Sequence, residues 1–422
     1  MLSAAPCPSV SCSHWIVRPQ SPSAIRDDIS VSLHKSHSGK PCDERAWFSS
    51  ASRLAKASVA ASLCTAAVRR KWSPGAKIKA PASTSRRVLA PFAMEPVNVY
   101  MGEMKATARD LAASERVLLD ADDLSKIDYL EEDAELRRQW RDLVYMSSNC
   151  ISACAGVVLS DEGLQQQSLA SDRTFLQELT DRGVLVGTHV DMGYSPLNAY
   201  GEKGTTGDAG LDARCKDYYN AGVRFGVWRT QVLCTGEMPT DVAVWDNMFR
   251  MAQSAYTCQL HGLMPIVHIE ISVEGGKQTT ERTAYVLEKV LSQAMRQLNE
   301  CDVNIEALIL TTSFCLAGEN AAPAPLPLQG ELTARALTRS LPPALAGVRF
   351  IPHSSSQDTP EGLLSDLVMV KEALLADYWP LGLLHTNHFF SDVLSTWAGD
   401  ENNVTAVRTR LNQAFGTVPI ES

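Results

Sequence analysis

Eight short apolar runs, separated by longer stretches of helical periodicity, recur through residues 116–384 and restrict this chain to a parallel-sheet architecture. Two parallel strands cannot be joined by a tight turn. The chain must cross back over a dozen or more residues, and an amphipathic helix is the usual bridge. The runs are Arg116-Val-Leu-Leu119, Ala155-Gly-Val-Val-Leu159, Val184–Val190, Val223–Trp228, Met264–Ile271, Ile305–Leu310, Val348-Arg-Phe-Ile351 and Leu381-Gly-Leu-Leu384. Eight strands in this rhythm predict an α/β fold of the (β/α)8 TIM-barrel type. An open, doubly wound sheet would produce a similar alternation, so periodicity alone leaves both arrangements standing.

The intervening segments support the alternation. Residues 241–260 carry Val242, Val244, Met248, Met251, Ala252 and Ala255 as one predicted packing stripe, and residues 280–298 repeat the pattern with Glu288 and Arg296 outward. Gly201–Gly210 reads as a flexible loop after the third strand and Ala321–Leu328 as a Pro-rich loop after the sixth. Both are expected at the C-terminal mouth, where barrels bind their ligands.

Charge divides the chain into two parts. Residues 1–93 hold 14 Lys/Arg against 4 Asp/Glu, whereas residues 94–422 hold 25 against 44. The first part is rich in Ser, Ala and Arg and poor in acids, as in Ser49-Ser-Ala-Ser-Arg-Leu-Ala-Lys56 and Ser83-Thr-Ser-Arg-Arg87. That is the composition of an organellar transit peptide. The expected organelle is the plastid (chloroplast), with the mitochondrion as the alternative; a disordered tail with no address is the other reading. Residues 94–422 are then the folded domain. Its acidity argues against nucleic-acid binding, which needs a basic face. Nor is there an apolar run long enough to predict a membrane span.

Seven of the 11 cysteines lie in the acidic part, scattered through apolar surroundings. They read as buried free thiols rather than a disulfide framework, and the Cys150/Cys154 pair has no second pair to suggest a metal site.

Several ordered segments resemble class I fructose-bisphosphate aldolase. Gly193-Tyr-Ser-Pro-Leu-Asn198, Gly210-Leu-Asp-Ala-Arg-Cys215 and Tyr218-Tyr-Asn-Ala-Gly222 resemble its third loop and helix. Phe225-Gly-Val-Trp-Arg229 is similar to its F-A-K-W-R strand, and His261-Gly-Leu-Met-Pro-Ile-Val-His-Ile-Glu270 to N-G-I-V-P-I-V-E-P-E. Leu341-Pro-Pro-Ala-Leu-Ala-Gly-Val-Arg-Phe350 is similar to the approach to its seventh strand. The resemblance runs across most of residues 105–400. It implies a TIM barrel, ancestry in glycolytic or Calvin-cycle sugar-phosphate lyases, no cofactor, and a tetramer-forming family.

The family's functional positions are another matter. Its chemistry turns a lysine amine into a Schiff base on the substrate ketone. The resemblance sets Thr311 at that lysine's position, and no lysine occurs between Lys289 and Lys371. The lysine of F-A-K-W-R becomes Val227, the third-strand lysine becomes His189, and the first glutamate of the fifth strand becomes His268. The second glutamate remains as Glu270, the first-strand aspartate as Asp122 with a new Asp120 beside it, and the fourth-strand arginine as Arg229. The phosphate-binding S-G-G-Q-S turn reads Pro352-His-Ser-Ser-Ser356, and the phosphate-pairing arginine of the eighth strand becomes Asn387. Proline lacks an N–H, and the lost glycines allowed close backbone approach. Sugar-phosphate binding is therefore doubtful, and the expectation is a pseudoenzyme acting as a binding, regulatory or structural subunit, as a homo-oligomer or with an organellar protein.

Two other readings stand beside it. One is residual aldolase activity by another route. In the other, His189, His268, His353 and His385 end predicted strands three, five, seven and eight, and His189 and His268 with Glu270 offer nitrogen and oxygen ligands for a hydrolytic Zn²⁺. For an assembly role, Trp245, Phe249, Trp379 and Trp397 are candidate exposed aromatics.

Overall fold

The computed structural model describes residues 99–416, apart from 114–115, 123, 125–126 and 353–359. The basic leader, and with it the transit-peptide expectation, lies outside the described residues. Within them the apolar runs become eight parallel strands. These are β1 (Val117–Asp120), β2 (Cys154–Leu159), β3 (Leu185–His189), β4 (Phe225–Leu233), β5 (Met264–Ser272), β6 (Ile309–Thr312), β7 (Gly347–Phe350) and β8 (Leu381–Thr386). Each strand pairs with its neighbours in sequence and β1 pairs with β8, which closes the barrel. Closure decides between the two architectures that the alternation left open: the fold is a (β/α)8 barrel.

Side-chain alternation divides the barrel into an inner and an outer layer. Leu118, Phe225, Val227, Met264, Ile266, Ile309 and Leu384 cluster in the interior, whereas Val157, Val186, Val267, Leu310, Val348 and Phe350 belong to the larger core between strands and helices. The interior cluster is closed below by Met104, Ala108 and Leu111 of the helix Met101–Ala112. Gly187 is needed at this level, because a Cβ there would lie 2.1 Å from the Phe225 ring.

The helix Asp241–Leu260 forms where its periodicity predicts, started by the Thr240 hydroxyl accepting from the Ala243 amide. Its buried face includes Val244, Met248, Met251, Ala252 and Ala255, but Val242 is 70 % exposed and does not belong to it. The second predicted helix spans Thr280–Glu300 with Arg296 outward.

Three local expectations are corrected. Residues Ile305–Ala307 form a 3-10 turn, and β6 begins only at Ile309. The Asn304 side chain accepts the Glu306 amide and so favours a turn over extension. Within the predicted 201–210 loop, Lys203–Thr205 is a strand, paired antiparallel with Tyr194–Pro196. The Pro-rich loop is cut short by the helix Leu326–Ser340, whose first turn accommodates Pro327 because that N–H needs no partner. Trp379 and Trp397 are buried, so only Trp245 and the half-buried Phe249 present aromatic surface among the four candidates. Their rings stack at 5.2 Å. Of the seven described cysteines six are buried and Cys301 partly so, all as free thiols. None of the helices among the described residues is long and apolar enough to cross a membrane.

Candidate functional site

The interior cluster ends about two residues below the C-terminal rim. Residues two positions further along the same strands keep the inward direction, which places Asp120 above Leu118, Arg229 above Val227, His268 above Ile266 and Thr311 above Ile309. His189 follows Gly187 on β3 in the same way. Register sets Arg229 level with His268 and His268 with Thr311, while His189 is level with Val227, one inward step lower on β4. Eight aligned strands thus gather residues nearly two hundred positions apart in sequence at one mouth. Val227 is a member of the buried apolar floor rather than of the polar ring.

These polar groups pair with one another. His189 Nε2 lies 3.0 Å from Asp120 Oδ2, and both side chains are nearly buried. Burial pushes the Asp120 carboxyl upward, but the charge and hydrogen bond of His189, helped by Arg229 and His268, hold it below the usual carboxylate range. Arg229 forks onto Asp191, with Nε 3.0 Å from Oδ2 and Nη2 2.9 Å from Oδ1, and its backbone amide also donates to Oδ2. That pairing keeps Asp191 low despite its burial. A bidentate fork of this kind fixes both position and orientation. Glu270 accepts from Gln231 Nε2 at 3.3 Å, and the far side of Gln231 accepts from Lys203 at 2.8 Å.

Asp122, just beyond β1, is held at the rim instead. It accepts from Arg141 Nε at 2.6 Å and from the amide and hydroxyl of Ser160 at 2.7 and 2.8 Å. Arg141 also donates to Gln166, Ser160 and Glu162, so each nitrogen of a buried guanidinium has a partner. Gly163 allows this packing, since a Cβ there would approach Asp122 Oδ2 to 2.5 Å. Arg141, Ser160 and Asp191 were not legible as site residues. Arg141 is one arginine of an arginine-rich helix, and no spacing ties it to a carboxylate 19 residues away.

Two interior groups lack partners among the described residues. The Thr311 hydroxyl and His268 Nδ1 are buried without a hydrogen bond. Burial pushes His268 down to about 4, with Asp120 opposing and Arg229 and His189 adding to the shift, so its ring is neutral at pH 7.

A cavity of about 440 Å³ opens on the β1–β4 side of the mouth, with His189, Asp191, Arg229, Asp122, Arg141 and Ser160 in its wall. Its size suits a small molecule.

The three described strand-end histidines do not converge. His189 and His268 face the mouth. His385 alternates with the inward Leu384, packs edge-on against the Phe389 ring at 4.5 Å, and sits behind β8. His353 lies outside the described residues, together with Ser354–Ser356 of the altered phosphate turn. Asn387 begins the 3-10 turn Asn387–Phe390 that follows β8. Among the described residues no group of three His, Cys, Asp or Glu could hold a metal ion. His189, His268 and Glu270 therefore do not form the metal set considered from the sequence; the carboxylate nearest His189 is Asp120, which already takes one imidazole nitrogen.

A closed parallel barrel with a polar mouth defines the (β/α)8 class. Within it, residues 103–416 match the profile of fructose-bisphosphate aldolase class I. The chain is 31% identical over 321 residues to a fructose-bisphosphate aldolase of Dictyostelium discoideum, covering 73% of this chain and 88% of the relative. It is 33% identical over 322 residues to the Plasmodium falciparum aldolase, covering 74% and 86%. A solved structure of the Plasmodium falciparum enzyme, in complex with TRAP and a small-molecule inhibitor, superposes with a TM-score of 0.70 at 30% identity, over 76% of this chain and 93% of that one. The chain belongs to the class I fructose-bisphosphate aldolase family.

Proposed function

We propose that this family member has lost Schiff-base aldol cleavage and serves as a binding, regulatory or structural subunit. One observation carries the reading: the inward position at the mouth end of β6 is Thr311, whose hydroxyl is buried and unpartnered, in a stretch without lysine from 290 to 370. A hydroxyl cannot form an imine, and the covalent route needs the amine. The acids and the arginine retained from the family pattern are in fixed pairs. Asp122 is held by Arg141, Arg229 by Asp191 and Glu270 by Gln231. A guanidinium forked onto a carboxylate is poorly placed to take a sugar phosphate as well. The stacked Trp245 and Phe249 on the outer face of the barrel supply apolar surface for self-association or for an organellar partner. The basic, acid-poor leader supports delivery to the plastid, which a fluorescent fusion of residues 1–93 would test by its location in leaf cells.

The decisive assay is fructose 1,6-bisphosphate cleavage by the full chain, with borohydride added to trap an imine and mass spectrometry to find it. The expected outcome is no turnover above buffer and no adduct. Turnover with an adduct on any lysine would overturn the proposal.

A further inference from the structure

The loss of the amine does not empty the mouth of chemistry. Asp120 is buried and its carboxylate oxygen sits 3.0 Å from His189 Nε2, while His189 itself lines the 440 Å³ cavity. A buried carboxylate on one imidazole nitrogen fixes the ring's tautomer and orientation and leaves the other nitrogen to work. Arg229 lines the same cavity, held rigidly by Asp191. We infer that Asp120 and His189 form a general-base dyad that removes a proton from carbon next to the carbonyl of a small uncharged substrate.

The assignment follows from what surrounds the pair. His189 is the base and Asp120 the residue that positions it. The C–H proton moves to the free ring nitrogen, the C–H electron pair becomes the new C=C bond, and the carbonyl π pair moves onto oxygen. The proton now on His189 makes its ring cationic, and that imidazolium, held by Asp120, is the positive charge beside the developing enolate. Returning the proton completes the cycle, so no oxidant, reductant or co-reactant is consumed. An uncharged substrate is favoured because the wall's guanidinia already carry carboxylates: Arg229 on Asp191, Arg141 on Asp122, and Arg137 on Glu162. The wall also contains Glu131 and Asp161, and an anion would meet their repulsion. The charged and titratable groups that meet His189 are Asp120 on β1, Asp191 beyond β3 and His268 on β5, and Arg229 on β4 shares the cavity wall with it.

This inference goes beyond the loss of aldol cleavage and fails separately from it, since borohydride reports an imine and isotope exchange reports proton transfer. The test uses the full chain and dihydroxyacetone in D₂O, with NMR following deuterium entry at the carbon next to the carbonyl. Expected are exchange faster than the buffer blank and no borohydride adduct. His189→Asn should slow exchange by about 10²-fold or more, the usual scale of general-base help. Asp120→Asn should slow it less and displace its pH profile, a change that a merely structural role would not produce. Circular dichroism guards against misfolding, and protection of His189 from diethyl pyrocarbonate by dihydroxyacetone, read by peptide mass on the unmutated chain, needs no variant. Exchange at the blank rate, equal exchange in folded His189→Asn, or modification of His189 unaffected by dihydroxyacetone would each overturn the assignment.

Discussion

The floor and the mouth of this barrel are built on the same strands and obey opposite rules. At the floor, Leu118, Phe225, Met264, Ile266 and Ile309 fill the interior, and the cation buried there binds main-chain carbonyls. Arg349 is 2% exposed and donates to the carbonyls of Leu111 and Ala113 at 2.7 and 2.5 Å, capping the C-terminal end of the closing helix. Two or three residues higher the interior becomes a set of ion pairs and imidazoles, with a hydroxyl and a ring nitrogen left unsatisfied. The floor needs only shape and volume, which many apolar residues supply. A mouth needs particular atoms at particular places, so a few replacements change what it can do while the barrel beneath it stays closed.

The largest expected effect comes from breaking the rim. Arg141→Met leaves Asp122 buried without its cation and should cost about 3–5 kcal/mol in denaturant unfolding. Arg349→Met, at the floor, removes a cation whose partners among the described residues are carbonyls and should cost less, about 1–3 kcal/mol. A floor variant more damaging than the rim variant would break the comparison.

Acid sharpens it next. Burial pushes both His268 at the mouth and His385 behind β8 from 6.5 down to about 4. Below pH 6.5 the unfolded chain takes up protons that the folded chain refuses, so their contribution is complete above pH 6.5 and is lost as pH falls towards 4. Each contributes at most about 3 kcal/mol, because holding a proton off across one pH unit is worth about 1.4 kcal/mol. The unfolding midpoint should fall across this window, and His268→Gln and His385→Gln should each flatten the fall. An unchanged pH slope in both variants would remove the argument. Thr311→Val should be neutral or stabilising by up to about 1 kcal/mol, because it deletes a buried hydroxyl that bonds to nothing. A clear loss of stability would mean that the hydroxyl has a partner. Trp245→Ser, half exposed on the outside, should change stability by less than about 0.5 kcal/mol. Any change in sedimentation it caused would instead report an interface.

Much of this molecule could be read from residue order alone, because strand and helix periodicity is local. The alternation located all eight strands, although it began β6 four residues early, at a side-chain-capped turn. It also located both long helices, and the missing lysine needs no coordinates to be seen. Closure, facing and pairing are different in kind, because they depend on residues far apart in the chain. Val242 is as apolar as Val244 yet faces solvent, and His385 is nearer its strand end than His268 yet points behind the barrel. A rotation of one residue about a helix, or one step along a strand, reverses a side chain, and composition cannot register it. Asp120 meets His189 across 69 positions, and Asp122 meets Arg141 rather than a ligand. Sequence alone established the alternation of strand and helix and the absence of an amine from the stretch that should carry it. Only the closed barrel decided which of the remaining charged groups satisfy one another, since a hydrogen bond is set by distances of about 3 Å that sequence separation does not encode.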